Sequence, residues 1–136
     1  MVGAVPATLA VQLSTPSSLG TFVPGVARDY TAGLNAVVTS TGGDSKLTVS
    51  DASTTNTGKL VNGTHALAQP LQVRTGTAAF APIGGSAAPT SLLSFVEPVS
   101  GATVPVEFKQ SIGANEGLRT GQYSKTLTFT LSTTTP

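Results

Sequence analysis

The stretch Thr103-Val104-Pro105-Val106-Glu107-Phe108-Lys109-Gln110-Ser111-Ile112 places Val104, Val106, Phe108 and Ile112 on one side of an extended chain. An apolar residue at every second position is the mark of a half-buried β-strand, because successive side chains of a strand point to opposite faces. Gln110 is the one break in that inner face.

The same period of two recurs on both sides of this stretch, and no helix-period stripe interrupts it. Toward the N-terminus, Leu9, Val11 and Leu13 share a face in the run 7–13. In the run 30–39, Tyr30, Ala32, Leu34, Ala36 and Val38 point inward, and Thr41-Gly42-Gly43-Asp44 turns the chain into Lys46–Ser50, which predicts a hairpin between the two runs. Residues 51–58 read as a polar loop, and Asn62-Gly63 as a primed turn. Leu67, Leu71 and Val73 predict a strand that Pro70 pushes toward a sheet edge. Residues 75–89 read as an Ala- and Gly-rich connection pinned to the core by Phe80 and Ile83, and Ser91–Val96 as a further strand. At the C-terminal end Tyr123, Leu127, Phe129 and Leu131 face one way, with Phe129 expected in the centre of the core and Lys125 at a rim. About 8–10 short strands are too many for one flat sheet in a chain this long. The expected fold is therefore an all-β, immunoglobulin-like Greek-key β-sandwich of two sheets, with residues 1–136 forming a single domain.

Composition narrows the function. Charged residues are 10% of the chain, against roughly 25% in ordinary soluble proteins, so hydroxyls and amides must carry solubility. Seven basic and six acidic residues leave a net charge of +1 with no basic cluster, which argues against nucleic acid as a partner. The absence of cysteine excludes thiolate chemistry, cysteine-based zinc sites and disulfides. Residues 1–6 have neither a charged leader region nor a long apolar run, so they read as neither signal peptide nor membrane insertion, and any export signal is expected upstream. Abundant Thr, Ser, Gly and Ala with few charges point to a secreted or cell-surface module.

The run Gly121-Gln122-Tyr123-Ser124-Lys125-Thr126-Leu127-Thr128-Phe129-Thr130-Leu131 resembles the closing strand of WxL domains, which ends in a Tyr-x-x-Thr-Leu-Thr-Trp-Thr-Leu pattern; Phe129 stands at the tryptophan position and Leu131 at the leucine. WxL domains are cell-surface modules of Gram-positive bacteria. The resemblance implies a bacterial, non-catalytic module attached to the cell wall through peptidoglycan or its polymers. The same strand is similar to those of fibre subunits and of immunoglobulin-like repeats, which implies a structural spacer or fibre-type subunit of a larger secreted protein as the alternative. Other domains of that parent protein would then be its neighbours.

Candidate chemistry is sparse. His65, the one histidine, follows Asn62-Gly63-Thr64 and reads as an exposed loop imidazole; no Gly-x-Ser-x-Gly elbow accompanies it, and no catalytic residue is assigned. No two acids lie within three positions of one another, although Asp44 and Asp51 flank one predicted strand and could approach each other at a calcium ion. They read as turn residues, and no metal or cofactor is assigned. Ile83-Gly84-Gly85-Ser86 lacks the lysine and helix of a phosphate loop and reads as a flexible turn. Asn62-Gly63-Thr64 spells a glycosylation sequon but reads as a turn. Ligand contact by an aromatic ring falls to Tyr30 and Tyr123, each expected to tuck its ring inward with the hydroxyl at the edge.

Overall fold

The alternation around Val106 forms the longest strand of the molecule. In the computed structural model, which describes residues 1–135, the chain contains no helix and ten strands: β1 (Leu9–Leu13), β2 (Arg28–Ser40), β3 (Ser45–Ser50), β4 (Val61–Asn62), β5 (His65–Ala66), β6 (Gln72–Thr75), β7 (Ala81–Pro82), β8 (Thr90–Phe95), β9 (Val99–Ile112) and β10 (Thr128–Ser132). Pro136, the last residue of the expected domain, lies outside the described residues. The strands form antiparallel sheets: one of five strands in the order β1-β2-β9-β6-β7, one of three in the order β10-β3-β8, and the ribbon β4-β5.

β2 and β9 pair from Arg28↔Ile112 to Ser40↔Val99, with an irregularity after Val38. Gly101 supplies the positive φ (64°) there, and its N–H reaches Thr39 Oγ1 at 3.0 Å. The buried cluster takes Tyr30, Ala36 and Val38 from β2, Val104, Val106, Phe108 and Ile112 from β9, and Leu47 and Val49 from β3, so both larger sheets turn their apolar faces into it. Each fully buried Val or Leu contributes about 1.5–3 kcal/mol. Gln110 belongs to this inner face as well: it is completely buried, its Nε2 donates to Gln69 O and Ser111 O, and its Oε1 has no partner among the described residues.

The expected hairpin between residues 30–39 and 46–50 does not form. Both edges of β2 are occupied, by β1 and β9, and both edges of β3 by β10 and β8, so the Thr41–Asp44 turn carries the chain from one sheet to the other. Its glycines serve close approach: a Cβ on Gly42 would stand 2.6 Å from Thr133 Oγ1, and one on Gly43 would stand 3.1 Å from Thr135 Cγ2. The C-terminal tail fills the corner where a hairpin partner would run.

Leu9 and Leu13, on the same face as Val11, are exposed, because β1 is an edge strand that only Val11 ties to the core. Two further expectations change. Phe80 does not pin its loop to the core; it stands between Arg74 (4.3 Å from ring centroid to Cζ) and Lys109 (4.7 Å to Nζ), whereas Ile83 is buried as expected. Phe129 is half-buried instead of central, since β10 is the edge strand of the three-stranded sheet and its ring meets Phe108 edge-on at 6.5 Å. β6 begins two residues after Pro70 and has only the two-residue β7 outside it, close to the predicted edge position.

Candidate functional site

The β4–β5 ribbon holds a loop. Asn62 and His65 pair across it, leaving Gly63 and Thr64 as the central turn residues, with a positive φ (64°) at Gly63, the residue a type II′ turn requires there. Asn62 Nδ2 donates to Thr120 O (2.9 Å) and Arg119 O (3.3 Å). His65 Nε2 stands 3.0 Å from Gly117 O; a carbonyl only accepts, so Nε2 carries the hydrogen. The imidazole is half-buried and engaged, not a free loop side chain. Glu116 adds a carboxylate oxygen at 2.8 Å from the Ala68 N–H, and Tyr123 closes the loop on itself by accepting the Arg119 N–H at its hydroxyl (2.8 Å).

This fixed loop and the segment 16–24 wall a cleft of about 740 Å³. Phe22 and Tyr123 stand in it with ring centroids 6.0 Å apart, and hydroxyls of Ser18, Thr21 and Thr120 line it together with Arg119 and Gln122. Arg119 is exposed and has no carboxylate within ion-pair distance among the described residues. Of the two tyrosines singled out from sequence, Tyr123 lies in this cleft, half-buried. Tyr30 lies beneath it: its ring is 5% exposed and packs on Phe22 at 4.9 Å, and its hydroxyl accepts the Val23 N–H. Its ring is therefore a support for Phe22 rather than a contact surface.

The floor of the cleft is held by Lys125. Its ammonium lies 3.2 Å from Asp51 Oδ2 and donates to Thr55 O and Asn56 O, with the two side chains 7% and 1% exposed. Lys125 is thus an interior residue and not the rim residue expected. Burial pushes the Asp51 carboxyl upward, but the N–H groups of Gly58 and Ser53 and the Lys125 ammonium outweigh it and hold the group below its ordinary value. Asp51 also bridges to the segment after Ile83, its N–H bonding Gly84 O, and a Cβ on Gly84 would overlap Ala88 O, so the Gly84-Gly85 pair is a tightly packed corner.

Asp44 and Asp51 are not brought together. They flank β3, roughly 23 Å apart at the rise of an extended strand. Asp44 instead takes the C-terminal tail: its carboxylate accepts from the Thr134 hydroxyl, the Thr135 N–H (2.7 Å), the Thr134 N–H and the Thr133 hydroxyl. These bonds, the Thr134 hydroxyl foremost, lower its pKa to about 2. Among the described residues no three His, Asp or Glu side chains come close enough to hold a metal ion, and no helix is long and apolar enough to cross a membrane.

Phe22, Asn62 and Arg119 were not legible as site residues. Asn62 and Thr120 are 58 positions apart, and nothing in either local sequence announces their contact. No protein-family model matches the chain, and neither the curated proteins nor the solved structures contain a match.

Proposed function

We propose that this chain is a non-catalytic, secreted or cell-surface module with an immunoglobulin-like Greek-key sandwich fold, and that it attaches to the cell wall by binding a peptidoglycan-associated polymer in the Tyr123 cleft. The observation that carries this reading is the cleft itself: a preformed space of about 740 Å³, walled by a loop fixed at Asn62, His65 and Tyr123 and furnished with two aromatic rings, hydroxyls and one unpaired guanidinium. Such a mixture of flat apolar surface and a few fixed polar groups suits a saccharide chain, which presents apolar ring faces and hydroxyl edges. The closing strand's likeness to WxL domains, on Tyr123, Leu127 and Leu131, supports the same reading.

Co-sedimentation with purified Gram-positive sacculi tests it. Wild-type protein is expected in the pellet, and Arg119→Ala combined with Gln122→Ala is expected to weaken retention roughly tenfold, the loss of a charged hydrogen bond. Wild-type protein left in the supernatant overturns the reading. A second reading, a structural spacer or fibre-type subunit, is favoured by the exposed Leu9 and Leu13 on edge strand β1 and Leu93 on edge strand β8. Unpaired edges with apolar side chains are suited to pairing with a neighbouring chain. Concentration-dependent growth of oligomers without any sacculus binding would select it.

A further inference from the structure

The five-stranded sheet turns its other face away from the core, and the strand registers arrange the outward residues in rows. Gly33, Glu107 and Arg74 stand abreast on β2, β9 and β6; Thr31, Lys109 and Gln72 form the next row on one side, and Asn35 and Pro105 the row on the other. This face is not an open plane. On one side the segment after β1 runs along β2, where Ser14 N donates to Asn35 O and its Oγ accepts the Asn35 N–H, while Ser17 does the same with Gly33. On the other side stand Arg74 and Gly76, and Phe80, outside the lining, packs its ring between Arg74 and Lys109. Between these walls lies a groove of about 600 Å³ that meets the Tyr123 cleft only at Ser17.

The polar groups in the groove are positioned and only partly used. Arg74 Nε and Nη2 both bond Glu107 Oε1, at 2.7 and 2.5 Å, so Oε2 of the same carboxylate is available. The two side chains are 32% and 40% exposed. Asn35 is exposed, and its bonds to the Ser14 strap use its backbone, leaving the amide side chain available. Gly33 sits in mid-strand, where glycine costs about 0.5–1 kcal/mol relative to alanine and often marks a close approach. Here a Cβ would press on Val106 O at 3.2 Å, and its absence leaves the space beside Glu107 uncovered.

We propose that this groove is a second binding site, for an uncharged saccharide, centred on Glu107, Arg74 and Asn35. A carboxylate oxygen accepts from one or two sugar hydroxyls, while a guanidinium and a side-chain amide donate to their neighbours, a combination that matches adjacent hydroxyls on a pyranose ring. The carboxylate at the centre disfavours phosphate or carboxylate ligands, and the pair Arg74–Glu107 cancels the charge that nucleic acid would need. Phe80 acts as a positioning residue that holds the guanidinium plane. The site does not depend on the Tyr123 cleft binding anything.

Titration of the full chain, labelled with nitrogen-15, with soluble cello-oligosaccharide and chito-oligosaccharide tests the assignment. At least one of them is expected to give saturable amide shifts at Gly33, Asn35, Arg74 and Glu107, weakened about tenfold or more by Asn35→Ala and by Glu107→Gln. Asn35→Ala alters an exposed amide outside the core, so its effect reports binding and not folding. Absence of saturable shifts on this face with either saccharide, shifts confined to the Tyr123 cleft, or Asn35→Ala and Glu107→Gln proteins that both bind like wild type would each overturn it.

Discussion

Lys125 Nζ stands 3.2 Å from Asp51 Oδ2 in a place closed to solvent, and the same ammonium donates to Thr55 O and Asn56 O in the loop that Asp51 opens. One side chain therefore joins the segment leading into β10 to the loop that follows β3. Breaking a buried pair from one side leaves the other charge uncompensated, at a cost of about 3–5 kcal/mol. Lys125→Met and Asp51→Ala are each expected to lose that much in urea unfolding, and the double variant is expected to lose far less than their sum. Additive losses would show that the two charges do not depend on each other.

Asp44 gives a pH dependence with a definite sign. Its carboxyl has a lowered pKa in the folded chain, about 2 against 3.8, so the stabilisation is complete above 3.8 and disappears as pH falls toward 2. The stability difference between wild type and Asp44→Asn should be constant at neutral and mildly acidic pH and shrink across that window. A difference that persists unchanged at pH 2 would place the tail's anchorage elsewhere.

Phe129 and Thr128 test the position of β10. The half-buried ring is expected to cost about half of the 3–5 kcal/mol of a fully buried phenylalanine on change to alanine, and Thr128→Ala less than about 0.5 kcal/mol. A full core-sized loss at Phe129 would mean that the edge strand is covered in solution. A large loss at Thr128 would instead mean a register shifted by one residue.

Asn62 sets the cleft's rigidity. Asn62→Ala removes both side-chain bonds to the 119–120 segment, and the amides of Arg119 to Gln122 are expected to exchange with solvent about tenfold faster or more while the β2–β9 amides hold their protection. Unchanged exchange in the loop would leave Tyr123 and His65 as its sufficient supports.

The alternation of residues 103–112 and 30–39 placed nearly every inward side chain of β9 and β2 correctly, because face is a local property of an extended chain. The same rule applied to residues 123–131 puts Lys125 inside, and expecting a charge at the rim overrode it. Asp51, 74 positions earlier, is what makes the inside tolerable, and no local pattern signals such a partner. Strand pairing was the illegible part for a related reason. Alternation says which way a side chain points but not which strand lies alongside, and the tail that fills the Thr41–Asp44 corner arrives some 90 positions later in the chain. Phe80 was misread because ring size suggested burial, whereas Arg74 and Lys109 offered it charged faces on the far side of the sheet.

The corner at Thr41–Asp44 gathers both ends of the fold. Thr8 bonds Thr41 by its N–H and its carbonyl, and Thr133 to Thr135 bond Asp44 and Gly43. A tensile load applied through Thr8 and Thr135 enters at this one point instead of running along the strands. It would meet the bonds one after another: first those of Asp44, then the rungs from Ser132↔Lys46 toward Thr128↔Ser50. The domain would yield by peeling, at low force, with the long β2–β9 ladder still closed; its grip on the tail acts as a mechanical fuse made of the Asp44 carboxylate and the main-chain groups of Gly43 and Asp44.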